Sequence, residues 1–375
     1  MTNGTRRRQC AVVKVGSSSL TDGSGVLAIA KMERLVKQIA TLYREGGWHV
    51  VLVSSGAIAA GLGKLGWQRA RISMPEKQAA AAVGQTALME EYERLFAKEG
   101  LHVGQLLLTR ADVEDRKRFV HIRNTVQALL RHDIVPIINE NDTVAVEEIR
   151  FGDNDSLAGL AALVSEADRL VLLTDIDGLY TANPRTDPSA KRIEVVAEVT
   201  DEIERLAGGA GSVVGTGGMR TKLIAAKAAV RAGVEVVIAS AETPDVLRRV
   251  LAGEAVGTRF LASPQPVSLR KSWLMHAPKP EGSLMIDEGA VRALLTAGGS
   301  LLVPGIVRIE GDFQEGAVVL LQSMKGEPVG KGITSFSARD LDDLLARRRA
   351  GEDLHNVHEV VHRNDMVLVK GANVR

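Results

Sequence analysis

The sequence predicts an α/β protein, a three-layer αβα sandwich around a mostly parallel sheet, followed by a small, mostly β C-terminal domain. Two observations carry this. Up to residue 260, short apolar runs alternate with longer stretches of helical period. After a proline-dense segment the texture changes to short strands separated by glycine turns. A chain of 375 residues, 45% hydrophobic and 25% charged, can bury two or three separate cores.

CAVVKV, WHVVLVSS, GLHVGQLLLT, DIVPIIN, ADRLVLLTD and VEVVIAS, in that order, read as strands buried on both faces. Between them lie helical stretches. LAIAKMERLVKQIATLYREGG stops at a Gly-Gly pair, and PEKQAAAAVGQTALMEEYERLFAKEG has proline at its start and glycine at its end. Strands separated by helices imply crossover connections and a parallel sheet covered on both faces. Ligands of such sheets sit at the carboxyl ends of the strands. Four of the eleven prolines fall in SPQPVSLRKSWLMHAPKP, Ser263–Pro280. The expected division is a first domain over residues 1–265, a linker over 266–280 and a second domain over 281–375. In that second domain SLLVPGIVRIEGDF, GAVVLLQS, GKGITSF and MVLV read as strands, and ALLTAGG and ARDLDDLLARR as helices.

The formal net charge of +1 gives no overall pull toward nucleic acid or an anionic membrane. A single cysteine, Cys10, excludes an internal disulfide or a cysteine-built metal site and suits a reducing cytosol. Its place in CAVVKV predicts a buried strand residue, not a catalytic thiol. MTNGTRRRQ leads into a strand and GSSSLTDG, not an apolar signal core. The most apolar region, LAGLAALVSEADRLVLL, is interrupted by Glu166, Asp168 and Arg169. The expectation is a cytoplasmic chain with no membrane partner.

Two pattern matches mislead. GLGKLG (Gly61–Gly66) fits the dinucleotide fingerprint, which works only where a strand ends on its first glycine and a helix opens on its last. Here the strand ends well before, and WQRARISMP follows. HEVVH (His358–His362) fits a zinc-protease pattern that needs a helix. Its valine-rich setting reads as strand and turn, which would hold the two histidines about 13 Å apart. His355 does not rescue that geometry.

Four segments carry chemistry. VVKVGSSSL (Val12–Leu20) is a strand ending in a glycine-serine loop, with Lys14 two residues before Gly16. Glycine N–H groups, small hydroxyls and an ammonium form a cradle for phosphate oxygens, although an ordinary Gly-Ser turn has the same letters. VSSGAIAAG repeats the device, with Ser54, Ser55 and Gly56 running into a helix; a plain N-cap is the alternative. GTGGMRTK (Gly215–Lys222) puts Lys222 in a first helical turn, where a cation opposes the dipole unless an anion lies beside it. LLTDIDGLYTANPR follows a strand with Thr174, Asp175 and a turn that could seat a nucleotide. Neither a G-x-x-x-x-G-K-[ST] loop nor the protein-kinase H-R-D and D-F-G set is present.

INENDTVAVEEIRFGDNDSLAG holds six carboxylates, Glu140, Asp142, Glu147, Glu148, Asp153 and Asp155, against one arginine. A metal cage, a site for a positively charged ligand and a solvated loop with a helix cap all fit that composition.

Taken in order, KVGSSSL, VSSGAIAAG, VGQLLLTRADVEDRKRF, INENDTV, FGDNDSLAGLAA, LLTDIDGLYTANPR and GTGGMRTK resemble the amino acid kinases, on the branch that acts on L-glutamate. INEND with GDND and GTGGM-x-TK sets the chain apart from acetylglutamate and aspartate kinases. The C-terminal part resembles a PUA domain, so the resemblance covers nearly the whole chain. It implies the amino acid kinase fold and ATP-dependent phosphorylation of the γ-carboxylate of L-glutamate, the entry to proline synthesis. It also implies Mg²⁺ held mainly by nucleotide phosphates, with no dedicated protein ligand for the metal.

By the same resemblance Lys14 and Lys222 contact the transferring phosphoryl group and Asp155 orients both lysines. Gly16 and Ser17 hold phosphates, Thr174 and Asp175 lie at the nucleotide, and Thr216, Gly217, Gly218, Met219, Arg220, Thr221 and Lys222 close on it. Ser55, Gly56, Asp142 and Asn154 bind glutamate. Asp142 is the natural counter-charge for its α-ammonium, and Asn154 can donate to a carboxylate or accept from the ammonium. The acidic segment is then a ligand site. Glu140, Glu147 and Glu148 carry no assigned chemistry; they shape the loop or serve feedback inhibition by proline. A homo-oligomer, dimer or tetramer, is implied as well. PUA domains often bind RNA, but residues 281–375 carry eleven lysines and arginines against fourteen carboxylates, a net of −3, where an RNA-binding surface should be basic.

Overall fold

The computed structural model describes residues 8–22, 26–45, 47–68, 72–144, 154–184, 186–207, 218–267, 271, 274, 279–352 and 357–369. The chain divides into two compact units, Met1–Pro266 and Val267–Arg375.

In the first unit the elements run β1 (Gln9–Val15), α1 (Ile29–Arg44), β2 (Trp48–Val53), α2 (Ala57–Leu65), α3 (Met74–Lys98), β3 (Val103–Leu108), α4 (Arg110–Glu114), α5 (Arg116–Arg131), β4 (Val135–Glu140) and α6 (Asn154–Val164). They continue as β5 (Arg169–Thr174), β6 (Val195–Val196), α7 (Asp201–Leu206), α8 (Met219–Arg231), β7 (Glu235–Ser240), α9 (Val246–Leu251) and β8 (Thr258–Phe260). The sheet order is β3-β4-β2-β1-β5-β7-β8-β6. Every pairing is parallel except β7 with β8. The six apolar runs read as strands are the six long ones. The short strands β6 and β8 at the far edge have no counterpart in that reading, because two or three residues are too few to show a period.

Strand alternation sorts side chains between the two faces. Ala11, Val13 and Val15 of β1, with Val50, Leu52, Val171 and Leu173, pack into a core with Met32, Leu35, Val36 and Ile39 of α1, Leu88 and Tyr92 of α3, and Val246 and Val250 of α9. The other face carries α6, which packs on α5 and α8 and lies across β1, β2, β4 and β5. Lys14, an even-numbered β1 residue, therefore faces α6.

Helix α1 forms because its apolar residues recur at helical spacing and fill one side of that core. Helix α3 starts on a capping box in which Ser73 and Glu76 satisfy each other's backbone donors, with proline in the first turn. Helices α2 and α3 cross at backbone contact. A Cβ on Gly61 would lie 1.8 Å from the Ala80 carbonyl oxygen, and one on Gly84 1.8 Å from that of Ala57. The GLGKLG match is thus helix and helix cap, and Gly61 is there for packing.

The second unit contains β9 (Gly282–Ile286), α10 (Glu288–Ala297), β10 (Ile306–Glu310), β11 (Val318–Ser323), β12 (Pro328–Ile333), α11 (Ala338–Arg349) and β13 (Met366–Leu368). Its sheet runs β10-β9-β11-β12-β13 over a core of its own, with Leu284, Phe313, Val319, Leu341 and Val360 among its residues. Two details differ from the sequence reading. The strand β9 was not expected, and SLLVPG forms a bridge at Leu301 and a 3-10 turn, because proline removes a ladder donor. HEVVH is not helical. Val360 and Val361 are fully buried, and His358 stacks on Phe336 with ring centroids 4.5 Å apart. His355 lies outside the described residues. Among the described residues no helix is long and apolar enough to cross a membrane.

Candidate active site

The carboxyl ends of β1, β2, β4 and β5 lie side by side in the sheet and carry Gly16-Ser17, Ser54-Ser55-Gly56, Asn139-Glu140 and Thr174-Asp175. After β1 the chain makes a 3-10 turn over Ser17–Ser19 capped by Gly16, whose first internal bond is Ser19 N–H to the Gly16 carbonyl at 3.0 Å. The N–H groups that precede such a bond have no acceptor within the turn, which is what suits them to an external anion. Thr21 donates its hydroxyl to the Ser17 carbonyl at 3.0 Å, and Lys31 donates to that of Ser18 at 3.2 Å, so the loop is braced from behind.

The loop after β2 meets it. Gly56 has φ +89°, a left-handed conformation that favours glycine, and its Cβ position would lie 3.7 Å from the Ser17 Cα. The two glycine-serine segments, 40 residues apart in sequence, therefore form one wall.

Asp155 is the centre of the charged part. It sits at the second residue of α6, where the helix dipole favours a carboxylate, and it is fully buried. One oxygen meets Lys14 Nζ at 2.7 Å and the other meets Lys222 Nζ at 3.1 Å. Both lysines are buried, at 5% and 4% exposure. Thr221 Oγ1 lies 2.9 Å from the same Asp155 oxygen and 2.8 Å from the Gly218 carbonyl, and donates to one of them. The three ionised side chains sum to a formal +1. Lys222 is held there because α8 packs on α6 one turn further on, where the Cβ position of Gly159 is 3.6 Å from Ala225.

A neutral cluster adjoins this one. Asn154, half-buried at the start of α6, donates from Nδ2 toward the Ser54 carbonyl at 2.6 Å, Ser55 Oγ at 3.0 Å and Asn139 Oδ1 at 3.0 Å. Asn139 Oδ1 also accepts from Glu140 N–H at 2.9 Å, and Asn139 Nδ2 donates to Gln85 Oε1 at 2.8 Å. Ser54 Oγ pairs with the Tyr92 hydroxyl at 3.1 Å. Burial pushes the Tyr92 phenol above its ordinary range, and the Ser54 bond opposes that shift.

The structure thus brings Lys14, Asp155, Thr221 and Lys222 into one contact group, Ser55 and Asn154 into another, and Gly56 against Ser17. Thr174 and Asp175 end β5 beside β1, with the Thr174 hydroxyl on the Asp175 carboxylate at 3.1 Å. Asp142 is in the turn after β4, half-buried, and Glu140 is buried at that strand's end. Gly218 caps α8, whose first residues are Met219 and the exposed Arg220. Thr216, Gly217, Glu147, Glu148 and Asp153 lie outside the described residues.

Gln85, Asn139 and Tyr92 have no role in the sequence reading. A signal for Gln85 was present: it falls on the buried stripe of α3 with Ala81, Leu88 and Tyr92, where a polar side chain needs a partner. Among the described residues no group of three or more His, Cys, Asp or Glu could hold a metal ion. The donor set at this edge, with its ammonium groups, hydroxyls and glycine backbone, suits a polyanion.

Comparison with known proteins adds the following. The sequence model described as "Amino acid kinase family" matches residues 9–240, and that described as "PUA domain" matches residues 282–358. The chain is 47% identical over 365 residues to a glutamate 5-kinase of Carboxydothermus hydrogenoformans, covering 96% of this chain and 97% of that one. It is 48% identical over 364 residues to a glutamate 5-kinase of Shewanella oneidensis, covering 96% and 97%. With a glutamate 5-kinase of Methylobacillus flagellatus it shares 44% identity over 375 residues, 98% of this chain and the whole of the other.

Proposed function

The chain belongs to the amino acid kinase family, with glutamate 5-kinases as its full-length relatives, and from that premise we propose how its own residues divide the work. The reaction is phosphorylation of the γ-carboxylate of L-glutamate in proline biosynthesis, with ATP as the phosphoryl donor. A carboxylate oxygen attacks the terminal phosphorus, the bond from that phosphorus to the bridging oxygen breaks, and ADP leaves with the electron pair. Both reactants are anions, so the obstacle is mutual repulsion, and the protein contributes alignment and charge neutralisation.

The observation that carries this reading is the Lys14–Asp155–Lys222 bridge. One buried carboxylate holds two long, flexible cations, so little reorganisation is needed as charge moves toward the leaving oxygen. In this scheme Lys14 and Lys222 flank the transferring group, and Gly16 and Ser17 offer backbone donors to the phosphates. Thr174, Asp175 and the segment Thr216–Lys222 serve the nucleotide. Ser55, Gly56, Asp142 and Asn154 serve glutamate, with Asp142 as the counter-charge to the α-ammonium. Mg²⁺, carried by the nucleotide, would neutralise phosphate oxygens when bound.

Hydroxylamine traps an acyl phosphate as a hydroxamate. The expected result is hydroxamate that requires ATP, Mg²⁺ and L-glutamate together. Product from acetylglutamate and none from glutamate would assign the chain to a sister kinase.

A further inference from the structure

We propose that Gln85 is a positioning residue that keeps the side-chain oxygen of Asn154 turned toward the ligand, so that the site selects a substrate bearing an ammonium group. This rests on the reading of Asn154 as a substrate-binding residue given above.

The hydrogen-bond network fixes the orientation of each amide. The Ser54 carbonyl can only accept, so the Asn154 atom 2.6 Å from it must be the nitrogen. Glu140 N–H can only donate, so the Asn139 atom 2.9 Å from it must be the oxygen. The same Asn139 oxygen faces the Asn154 nitrogen at 3.0 Å, which agrees with both assignments. Asn139 Nδ2 is then a donor, and it gives its proton to Gln85 Oε1 at 2.8 Å. Asn154 thus commits its two N–H hydrogens to three protein acceptors and faces the ligand with Oδ1, an acceptor. Of the two roles open to Asn154, donor to a carboxylate or acceptor from an ammonium, the network leaves the second.

Gln85 closes the chain at its far end. Without an acceptor there, Asn139 Nδ2 would have to seek another, and the neighbouring Asn154 amide, whose Nδ2 already meets Asn139 Oδ1 at 3.0 Å, carries one in its Oδ1. Gln85 keeps that oxygen available. It does so at a cost: its residue is 9% exposed, and its own Nε2 donates to no acceptor among the described residues. A buried donor left unmade opposes folding. Stability alone therefore does not account for a glutamine on an otherwise apolar stripe. Gly84 adds rigidity, because the neighbouring turn of α3 is pressed against the α2 backbone.

The test uses the full chain and two acceptors that differ in the ammonium group, L-glutamate and glutarate, with Gln85→Met and Gln85→Glu. Methionine has similar length, removes the orphaned Nε2 and turns Asn139 Nδ2 toward the Asn154 oxygen, so the melting temperature should move by only a few degrees. Its preference for L-glutamate over glutarate, as a ratio of kcat/KM, should fall by about tenfold or more, the size expected when a buried polar contact to a charged group is lost. The fall should come from a raised KM for glutamate, with KM for ATP unchanged. Gln85→Glu keeps an oxygen facing Asn139 and should retain the ratio within about threefold, since the acceptor role survives. An unchanged ratio in Gln85→Met overturns the proposal. So does a collapsed ratio in folded Gln85→Glu, which decides alone if the methionine variant does not fold. A wild-type chain that forms no hydroxamate from L-glutamate overturns the functional reading instead.

Discussion

Asp155 has one carboxylate and two tasks, and its burial lets it do both. A fully exposed aspartate would hold two lysines weakly, because water screens the pair and the long side chains keep their rotamer freedom. At zero exposure, with one oxygen for each ammonium, it fixes both. Loss of either lysine should then act on the chemical step. Lys222→Ala is expected to lower kcat by about a hundredfold or more, in line with removal of one preorganised charge, with a smaller change in KM for glutamate. Asp142→Ala should mainly raise KM for glutamate, since its charge meets the substrate equally in ground and transition states. Steady-state kinetics with both substrates varied separates the two, and equal, mild effects would remove both roles. Lys14, Lys222 and Asp155 were each singled out in the sequence because each stands in a short motif that resembles the amino acid kinases; their mutual contact was not legible in the residues themselves. Gln85 was not, because a lone polar letter on a helical stripe says only that it is buried, not what it touches.

The crossing of α2 and α3 is the element on which the neutral cluster depends. It presents Ala57 and Gly61 to Gly84 at distances no Cβ allows, and this contact sets where α3 places Gln85 and Tyr92. Gly84→Ala should therefore force the helices apart and destabilise the fold by roughly 1–3 kcal/mol, the usual range for an overpacked interior. Thermal denaturation followed by circular dichroism would read it. A variant as stable as the parent would show that the crossing yields freely. Element existence followed from periodicity for the six apolar runs, which are strands, and for the two glycine- or proline-bounded stretches, which are helices, while the 16-residue α5 has no counterpart in the sequence reading. The short strands β6 and β8, and the antiparallel turn of β8 onto β7, come from tertiary pairing that has no local pattern behind it.

Over the whole molecule, the residues assigned to the reaction lie in the unit Met1–Pro266, while Val267–Arg375 has a separate core and, over residues 281–375, a net charge of −3. Nucleic-acid affinity depends on neutralising phosphates with lysine and arginine. The full chain is therefore expected to give no shift of structured RNA at physiological salt in a gel assay. A shift that weakens steeply with added salt would reveal a basic surface that the overall balance conceals. The net charge of +1 over the 375 residues supplies no global field to draw anions in.

Residue order alone dictates the alternation of buried strands and amphipathic helices, the change of texture after the proline-dense segment, and the motifs that bear the two lysines, the aspartate and the serines. These are local properties, written within a few residues of one another. Contact, by contrast, is set by how the elements pack. Lys14 comes from a strand, Asp155 and Lys222 from two helices, and Gln85 and Asn139 from a helix and a strand that share no motif. Their distances depend on how closely α2 approaches α3 and α6 approaches α8. Close packing fixes those distances to fractions of an ångström, and no local pattern encodes them.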